Sequence, residues 1–326
     1  MKAVRVTTYG GPEVLEFSEI VEPTPGPEQL LVRVHAAGIN RADCHQRAGN
    51  YPMPPGLGNV LGLELAGEVI AIGKDVNGFT CGDRVFGLVA EGAYAEVAVL
   101  DQGLAVPIPD SWSFAEGAAV IEVFCTANET VFELGRLVAG QSILVHAGAS
   151  GVGTAVVQMA KNIGATVLFT AGSRIKIDKV LELGADHGIP YKTHDFVEEV
   201  LRSTDGEGVD VVEDFVGADY ISRNLGVLKP EGRLVLVGTM GGQAAQFKLG
   251  SILRKRLSIH GFTLRAQSIA QKRAIVGRFR ERWLTLLAEG TIRPIIHTCV
   301  PFKEVRHGHE IMEANENFGK IVLTFD

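Results

Sequence analysis

The chain has 326 residues, of which 46% are hydrophobic, and a formal net charge of −7. The length suggests about two domains, and the acidic balance argues against nucleic-acid or membrane-surface partners, because both need a basic face. No apolar stretch approaches the roughly 18 residues of a transmembrane helix, and the N-terminus lacks the apolar core of a signal peptide. The four cysteines form no CxxC pair, which is typical of a reducing compartment. We therefore expect a cytoplasmic protein.

Residues 1 to about 120 have the pattern of short strands separated by turns. The segments MKAVRVTTYG and LLVRVHAAGIN alternate in the manner of strands, and a glycine-rich stretch from Gly62 to Gly87 follows them. Further strand-like pieces lie among these glycines: ELAGEVIAIG, DRVFGLV and AYAEVAVL. Such closely spaced strands predict a compact, barrel-like antiparallel unit. A glycine-rich coil is the alternative.

From about residue 122 the pattern changes to strands that alternate with helices. The predicted strands are 142–148, 165–172, HGIPY, 209–217, 232–240 and 257–263. Strands and helices that alternate in this way form right-handed crossovers and a parallel, doubly wound sheet. A long helix from Ser268 and two strands, HTCVPFKEV and GKIVLTF, then return to the first domain. The sequence thus predicts an α/β fold with a nucleotide-binding domain at 122–265 and a second domain built from 1–121 and 266–326.

The strongest single motif is HAGASGVG, at residues 146–153. It follows a predicted strand and opens a predicted helix, which is the context of a dinucleotide-binding loop. Small residues let the backbone approach a pyrophosphate, and the helix N-terminus supplies N–H groups. The usual GxGxxG occurs here as Gly148, Ser150 and Gly153. A plain turn between strand and helix is the alternative, whereas Val152 excludes a GxSxG nucleophile elbow.

The choice between NADH and NADPH depends on the residues that follow the next strand. An NADH site usually carries an acidic residue about 20 positions after the fingerprint. Counting from Gly153 leads to Ser173, with Arg174 and Lys176 beside it and no acid. Tyr191, at the end of the third strand, could reach the same pocket. We therefore expect NADPH, with a solvated basic helix start as the alternative.

Three motifs together resemble the medium-chain dehydrogenase/reductase superfamily: GINRAD at 38–43, GLE at 62–64 and the AGASGVG loop. Within it the chain looks like the zinc-free quinone oxidoreductases related to zeta-crystallin, over residues 1–326. The resemblance implies a GroES-like β-barrel catalytic domain beside a Rossmann domain with a doubly wound, parallel, six-stranded sheet. It also implies NADPH as cofactor and a homodimer formed through the nucleotide domains.

The resemblance further implies the positions of the site residues. Four of them lie near the nicotinamide and are the catalytic candidates: Asn40, Tyr51, Thr126 and Ser150. Together with the loop argument, it assigns the cofactor to Gly148, Ser150, Gly151, Val152, Gly153, Gly172, Ser173, Lys176, Tyr191, Gly238, Met240, Phe262, Thr263, Leu264, Asn317 and Lys320.

Zinc-dependent relatives place a cysteine and a histidine where this chain has Asn40 and Leu63, so we expect no metal. The neighbours Cys44 and His45 give no site, because adjacent side chains in a strand point to opposite faces. Without zinc the substrate must itself be electrophilic, as quinones and enones are. The predicted function is an NADPH-dependent quinone oxidoreductase. The alternatives are an alkenal, enone or enoyl double-bond reductase and a non-enzymatic nucleotide-sensing or RNA-binding protein, the latter disfavoured by the acidic charge.

Each catalytic candidate also has a structural interpretation. The Tyr51 phenol could donate to a substrate oxygen in a cleft facing Ser150, or it could be a half-buried packing residue. Asn40 could be a turn amide, and Thr126, which we expect to start a helix, could cap it. The surrounding apolar pocket is assigned to Pro52, Met53, Pro54, Pro55 and Phe262. For Glu64 and Asp43 we expect a structural role rather than acid–base catalysis. We expect His307 and His309 on the surface.

Overall fold

The computed structural model describes residues 1–51 and 58–325. The strands up to residue 107 are β1 (Lys2–Val6), β2 (Leu15–Glu19), β3 (Gln29–Ile39), β4 (Glu64–Ile72), β5 (Arg84–Leu88), β6 (Val97–Asp101) and β7 (Ala105–Pro107). The helices in the first 127 residues are α1 (Arg41–Arg47), α2 (Phe114–Gly117) and α3 (Ile121–Ala127). A π-helical segment, Asn128–Leu134, continues α3.

The middle of the chain alternates between strands and helices. In order they are β8 (Ser142–Val145), α4 (Gly151–Asn162), β9 (Thr166–Ala171), α5 (Arg174–Glu182), β10 (His187–Pro190), α6 (Phe196–Ser203), β11 (Val209–Asp214), α7 (Ile221–Val227), β12 (Leu228–Leu236), α8 (Gly250–Lys255) and β13 (Ser258–Gly261). The chain ends with α9 (Ile269–Ala288), β14 (Ile296–Pro301), α10 (Val305–Glu313) and β15 (Lys320–Thr324).

Contacts divide the chain into two compact units. Residues 1–123 together with 265–326 form one, called the barrel unit below, and residues 124–264 form the other, called the nucleotide unit. The main sheet of the barrel unit has the order β14-β15-β3-β4-β5-β7, with β6 also paired to β3. The neighbours pair antiparallel except β14 and β15, which are parallel. The tail of the chain therefore supplies two strands of the sheet that the N-terminal half begins.

The nucleotide unit contains the predicted doubly wound sheet. Its order is β10-β9-β8-β11-β12-β13, and every neighbouring pair is parallel. Leu144, Leu168, Val212 and Leu234 lie on successive strands and are fully buried in one cluster with Phe196 of α6. Burying each such side chain contributes about 1.5–3 kcal/mol. Because all the strands run in one direction, their carboxyl ends meet at one edge of the sheet. The predicted fold class is confirmed.

Three local predictions were wrong. Cys44 and His45 lie in helix α1 and not in a strand, because an Asp43 carboxylate oxygen accepts the Asn40 N–H at 2.8 Å and so begins a helix. Thr126 lies in the last turn of α3 and does not start it. His309 is fully buried in α10, while His307 is exposed.

Candidate active site

The phosphate-loop motif lies between β8 and α4, as predicted. Ser150 is the N-cap of α4, and its Oγ accepts the Gly153 N–H at 3.0 Å. A Cβ placed on Gly153 would lie 2.5 Å from the carbonyl oxygen of Ala147, and one on Gly148 would lie 2.7 Å from Cβ of Phe169. Both glycines are therefore required by close packing. Gly151 and Val152 form the first turn of α4, which contains no acidic residue, so its N–H groups and dipole present a site for an anion.

A second group of candidates lies where β9 and β10 end side by side. Ser173 follows Gly172 and is the N-cap of α5, with its Oγ accepting the Lys176 N–H at 3.4 Å. No acidic residue is present in the first turn of α5. The Tyr191 hydroxyl lies 3.1 Å from a Cβ placed on Gly172, and Tyr191 is 45% exposed. The hydroxyls of Ser173 and Tyr191 thus lie at this corner, and Lys176 follows in the first turn of α5.

Lys192 belongs to the same corner and was missed from the sequence. Its Cε lies 3.5 Å from a Cβ placed on Gly172. The sequence contained a signal for it, because Lys192 directly follows Tyr191, which was already expected in this pocket. In the structure, Pro190 of β10 pairs with Ala171 of β9. The residues that follow these two partners must lie near each other at the strand ends.

Further candidates follow the carboxyl ends of β12 and β13. The Gly238 N–H is 3.3 Å from the carbonyl oxygen of Asp214, and the Met240 N–H donates to Phe215 at 3.2 Å. The Phe262 N–H donates to the carbonyl of Leu236 at 2.9 Å. Gly238, Met240 and Phe262 therefore lie at the same sheet edge as the phosphate loop. Thr263 follows Phe262 directly, and Leu264 is buried.

Asn40 lies in a buried polar cluster of the barrel unit. Its Nδ2 donates to Glu64 Oε1 at 2.9 Å, and its Oδ1 accepts from Lys320 Nζ at 2.6 Å. Lys320 Nζ also donates to Glu64 Oε1 at 2.7 Å and to the carbonyl of Ile39 at 3.0 Å. Three acceptors therefore surround an ammonium group that has three protons. Asn317 is buried, and its Nδ2 donates to the carbonyl of Gly319 at 2.7 Å.

Tyr51 lies beside charged groups of the barrel unit. The guanidinium carbon of Arg265 is 5.4 Å from the centre of the Tyr51 ring, and Arg265 also donates to Gln46 and to the Ala90 carbonyl. Burial, with a contribution from the charge of Glu122, raises the pKa of Tyr51 to about 12. The phenol is therefore protonated at neutral pH and able to donate. The predicted pocket residues Pro52, Met53, Pro54 and Pro55 lie outside the described residues.

Two ionisable groups of the barrel unit, Glu122 and Lys272, were not found from the sequence, and the charge of Glu122 acts on Tyr51. Glu122 lies in the first turn of α3, and burial, then the neighbouring Glu64, raises its pKa to about 8. Burial lowers the pKa of Lys272, which the charge of Glu122 partly restores. The Tyr51 region thus holds an acid that carries its proton near neutral pH. No periodic pattern in the sequence indicated that Glu122 would be a buried acid.

Thr126 is buried in the nucleotide unit next to the π-helical segment. Its carbonyl accepts from Thr130 Oγ1 at 2.9 Å, and Thr130 Oγ1 lies 2.6 Å from Glu213 Oε1. Burial raises the pKa of Glu213 to about 8. With its proton on Oε1, a neutral Glu213 donates to Thr130 Oγ1 near the carboxyl end of β11, and the Thr130 proton goes to the Thr126 carbonyl.

The chain matches two family descriptions. Residues 26–110 match the alcohol dehydrogenase GroES-like domain, and residues 151–277 match the zinc-binding dehydrogenase family. Over 99% of its length it is 32% identical to quinone oxidoreductase of Rattus norvegicus and 34% identical to that of Pseudomonas aeruginosa, covering 97% and 99% of those proteins. The chain belongs to the quinone oxidoreductases of the medium-chain dehydrogenase/reductase superfamily. The resemblance seen in the motifs is confirmed, and the protein is an oxidoreductase of small molecules.

Two solved structures extend the comparison. The structure of Escherichia coli quinone oxidoreductase complexed with NADPH is 31% identical, covers 99% of this chain and all of its own, and has a TM-score of 0.91. CurK enoyl reductase is 28% identical, covers 100% of this chain and 99% of its own, and has a TM-score of 0.89. One fold therefore serves proteins named for quinones and for enoyl substrates.

The residues at the position of the zinc ligands do not fit a zinc ion. Both polar atoms of Asn40 are used in hydrogen bonds, Leu63 is buried and apolar, and the ammonium of Lys320 already carries a positive charge there. Within the described ranges, no group of three or more His, Cys, Asp or Glu could hold a metal ion. Among the same residues, no helix is long and apolar enough to cross a membrane.

Proposed function

We propose that this protein is an NADPH-dependent quinone oxidoreductase that reduces its substrate without zinc. The observation that carries the proposal is the corner formed by Gly172, Ser173, Lys176, Tyr191 and Lys192. It brings the hydroxyls of Ser173 and Tyr191 and the end of the Lys192 side chain close to Gly172, and it has no acid in the first turn of α5, which contains Lys176. A ribose 2′-phosphate is the group such a corner suits. The quinone substrate follows from the names of the relatives.

The residues present fit the cofactor in two places. The N–H groups of the first turn of α4 suit the pyrophosphate, because Gly148 and Gly153 keep side chains away from it. Ser173, Lys176, Tyr191 and Lys192 suit the 2′-phosphate, to which charge-assisted bonds are the strong ones. NADPH, when bound, supplies a hydride to the substrate.

Tyr51 is the proposed donor to the substrate oxygen that gains negative charge. Its phenol holds its proton at neutral pH, because its pKa lies near 12. The guanidinium of Arg265 beside the ring favours any negative charge that develops there. We assign Asn40 and Lys320 a supporting role, because their hydrogen bonds are made to Glu64, to the Ile39 carbonyl and to each other. Thr126 and Ser150 stay catalytic candidates from the family resemblance.

A screen of NADPH oxidation tests the proposal directly. We expect turnover with quinones, slower turnover with enones, and little with isolated ketones, which lack an electron-accepting conjugated system. NADH in place of NADPH is the control for cofactor choice. Turnover with enones or enoyl thioesters but not quinones would favour the second candidate, a double-bond reductase, which the similarity to CurK enoyl reductase supports.

The proposed assembly is a homodimer. Among the described residues, β13 is the last strand in the order of the nucleotide unit and pairs with β12. Such an edge pairs readily with a second copy across a two-fold axis. Helix α8 precedes β13, and its N-cap Leu249 and Leu253 within it are 66% and 77% exposed. The four cysteines are free thiols, which suits the proposed cytoplasmic location.

A further inference from the structure

A chain of buried side-chain hydrogen bonds lies behind the phosphate loop in the nucleotide unit. His146 follows β8 and is fully buried. Its Nδ1 is 3.1 Å from Thr170 Oγ1, and its Nε2 is 2.8 Å from Asn224 Oδ1. Asn224 Nδ2 in turn donates to Asp214 Oδ2 at 2.9 Å. This series of hydrogen bonds thus connects residues at the ends of three neighbouring strands, β9, β8 and β11.

The direction of each hydrogen bond is determined by the Asp214 end. The Asp214 carboxylate accepts the N–H groups of Val216 at 2.7 Å and Gly217 at 3.2 Å, so it is an acceptor. Asn224 must therefore donate through Nδ2 and accept through Oδ1, which places the His146 proton on Nε2. His146 Nδ1 then accepts the Thr170 hydroxyl proton. Burial lowers the pKa of His146 to about 4, in agreement with a neutral ring.

Thr170 contacts three consecutive residues of the loop entrance. Its hydroxyl oxygen accepts the Ala147 N–H at 3.3 Å, and its carbonyl accepts the Gly148 N–H at 3.0 Å. Ala147 has a φ of 52°, in the left-handed region that disfavours a residue with a Cβ. The loop conformation therefore depends on support from neighbouring groups, and the Thr170 hydroxyl is one of them.

The far end of the chain supports a second cofactor-side segment. Asp214 fixes the loop 214–217 through its carboxylate, and its carbonyl accepts the Val237 N–H at 2.8 Å. Met240 is bonded to the carbonyl of Phe215 in the same loop. The His146 ring itself is held between Phe196 and Tyr220, with both ring centres at 4.8 Å. One connected network thus links both segments to which the cofactor is assigned.

We propose that Thr170, His146 and Asn224 are positioning residues. They hold the phosphate loop, and the 214–217 loop to which Gly238 and Met240 are hydrogen-bonded, in the arrangement that binds the cofactor. The inference rests on the proposed binding of NADPH to the nucleotide unit. It predicts that the network determines cofactor affinity, while the rate with saturating cofactor changes little. None of the three residues needs to touch the cofactor for this effect.

The test compares Thr170→Val with Thr170→Ser in the full-length protein. The valine keeps the volume and loses the hydroxyl, whereas the serine keeps the hydroxyl. We expect Thr170→Val to raise the Kd for NADPH, measured by calorimetry on the free enzyme, at least tenfold, with kcat at saturating NADPH within about threefold of wild type. Thr170→Ser should restore the Kd to within twofold. Thr166→Val, at an exposed threonine of the same strand, is the control and should bind as wild type does.

A second variant covers the case in which Thr170→Val does not fold. Asn224→Ala removes the hydrogen bonds that join His146 to Asp214 and should raise the Kd for NADPH in the same way. An unchanged Kd in whichever of the two variants folds would overturn the proposal, as would a serine variant that binds as poorly as the valine. If the wild-type protein does not bind NADPH, the proposed function fails instead, and that result is separate from the variant comparison.

Discussion

Lys320 offers the sharpest test of how the barrel unit is built. Its ammonium and the Glu64 carboxylate are 2.7 Å apart, and their side chains are 3% and 0% exposed. The perturbation is Lys320→Met, which keeps most of the aliphatic stem and removes the charge. Glu64 is then left as a buried carboxylate without its ionic partner.

The expected loss of stability depends on the interactions that Glu64 keeps when the Lys320 ammonium is removed. Removing one partner of a buried ion pair costs about 3–5 kcal/mol. Glu64 would keep two hydrogen bonds, from Asn40 Nδ2 at 2.9 Å and from the Glu122 N–H at 3.0 Å. We therefore expect the lower end, about 3 kcal/mol. Adding Glu64→Gln to Lys320→Met removes the uncompensated charge and should recover at least half of the loss.

Urea unfolding followed by tryptophan fluorescence is the suitable assay. Both tryptophans of the chain, Trp112 and Trp283, belong to the barrel unit, so the signal reports on the unit that is perturbed. Lys303→Met, at an exposed lysine of the same unit, is the control. A Lys320→Met variant within 1 kcal/mol of wild type, or a double variant no more stable than the single one, would refute the reasoning. Lost NADPH affinity at unchanged stability would instead make Lys320 a direct cofactor residue.

Two further predictions concern the cofactor and the reacting groups, and a third concerns assembly. Lys176→Ala should raise the KM for NADPH at least tenfold and that for NADH little, because a charge-assisted hydrogen bond contributes about 1.5–3 kcal/mol. Lys179→Ala on the same helix is the control, and equal effects on both cofactors would contradict the assignment. Tyr51→Phe should lower kcat about tenfold to a hundredfold, and the loss should be larger with an enone than with a quinone. Tyr9→Phe, at an exposed tyrosine, is the control and should leave kcat unchanged. A wild-type rate in Tyr51→Phe would mean that the donor is another group. Light scattering should give twice the 34.9 kDa chain mass, and a monomer at micromolar concentration would contradict the dimer.

The nucleotide unit was predictable because its signals are local. A buried parallel strand is a continuous apolar run, and small residues at a strand end mark a loop that approaches a phosphate. The parallel, doubly wound sheet then follows from the alternation with helices. The capping residue Ser150 and the acid-free start of α5 could likewise be found by counting along the chain.

The barrel unit was less predictable because its polar groups meet across long separations. Lys320 and Asn40 come together only because β15 pairs with β3, with Ile321 opposite Ile39. His309 was misplaced for a related reason. The buried positions of α10 include Val305, Gly308, His309 and Met312, a helical spacing that is hidden when a histidine is counted as polar. In the fold His309 is buried between Arg47 and Tyr94, at 3.1 and 3.3 Å, and burial lowers its pKa to about 3.

The ammonium of Lys320 also bears on the choice of substrate. A divalent ion at Asn40 and Glu64 would need oxygens that Lys320 already engages at 2.6 and 2.7 Å. The ammonium carries one positive charge, and its three protons face protein acceptors, so it is not placed to polarise a substrate oxygen as zinc does. The proposed reduction therefore relies on conjugation within the substrate, and the neutral Tyr51 phenol is the donor that we propose to assist it. Quinones and enones meet that requirement, because a conjugated system spreads the incoming negative charge onto oxygen, whereas an isolated ketone does not.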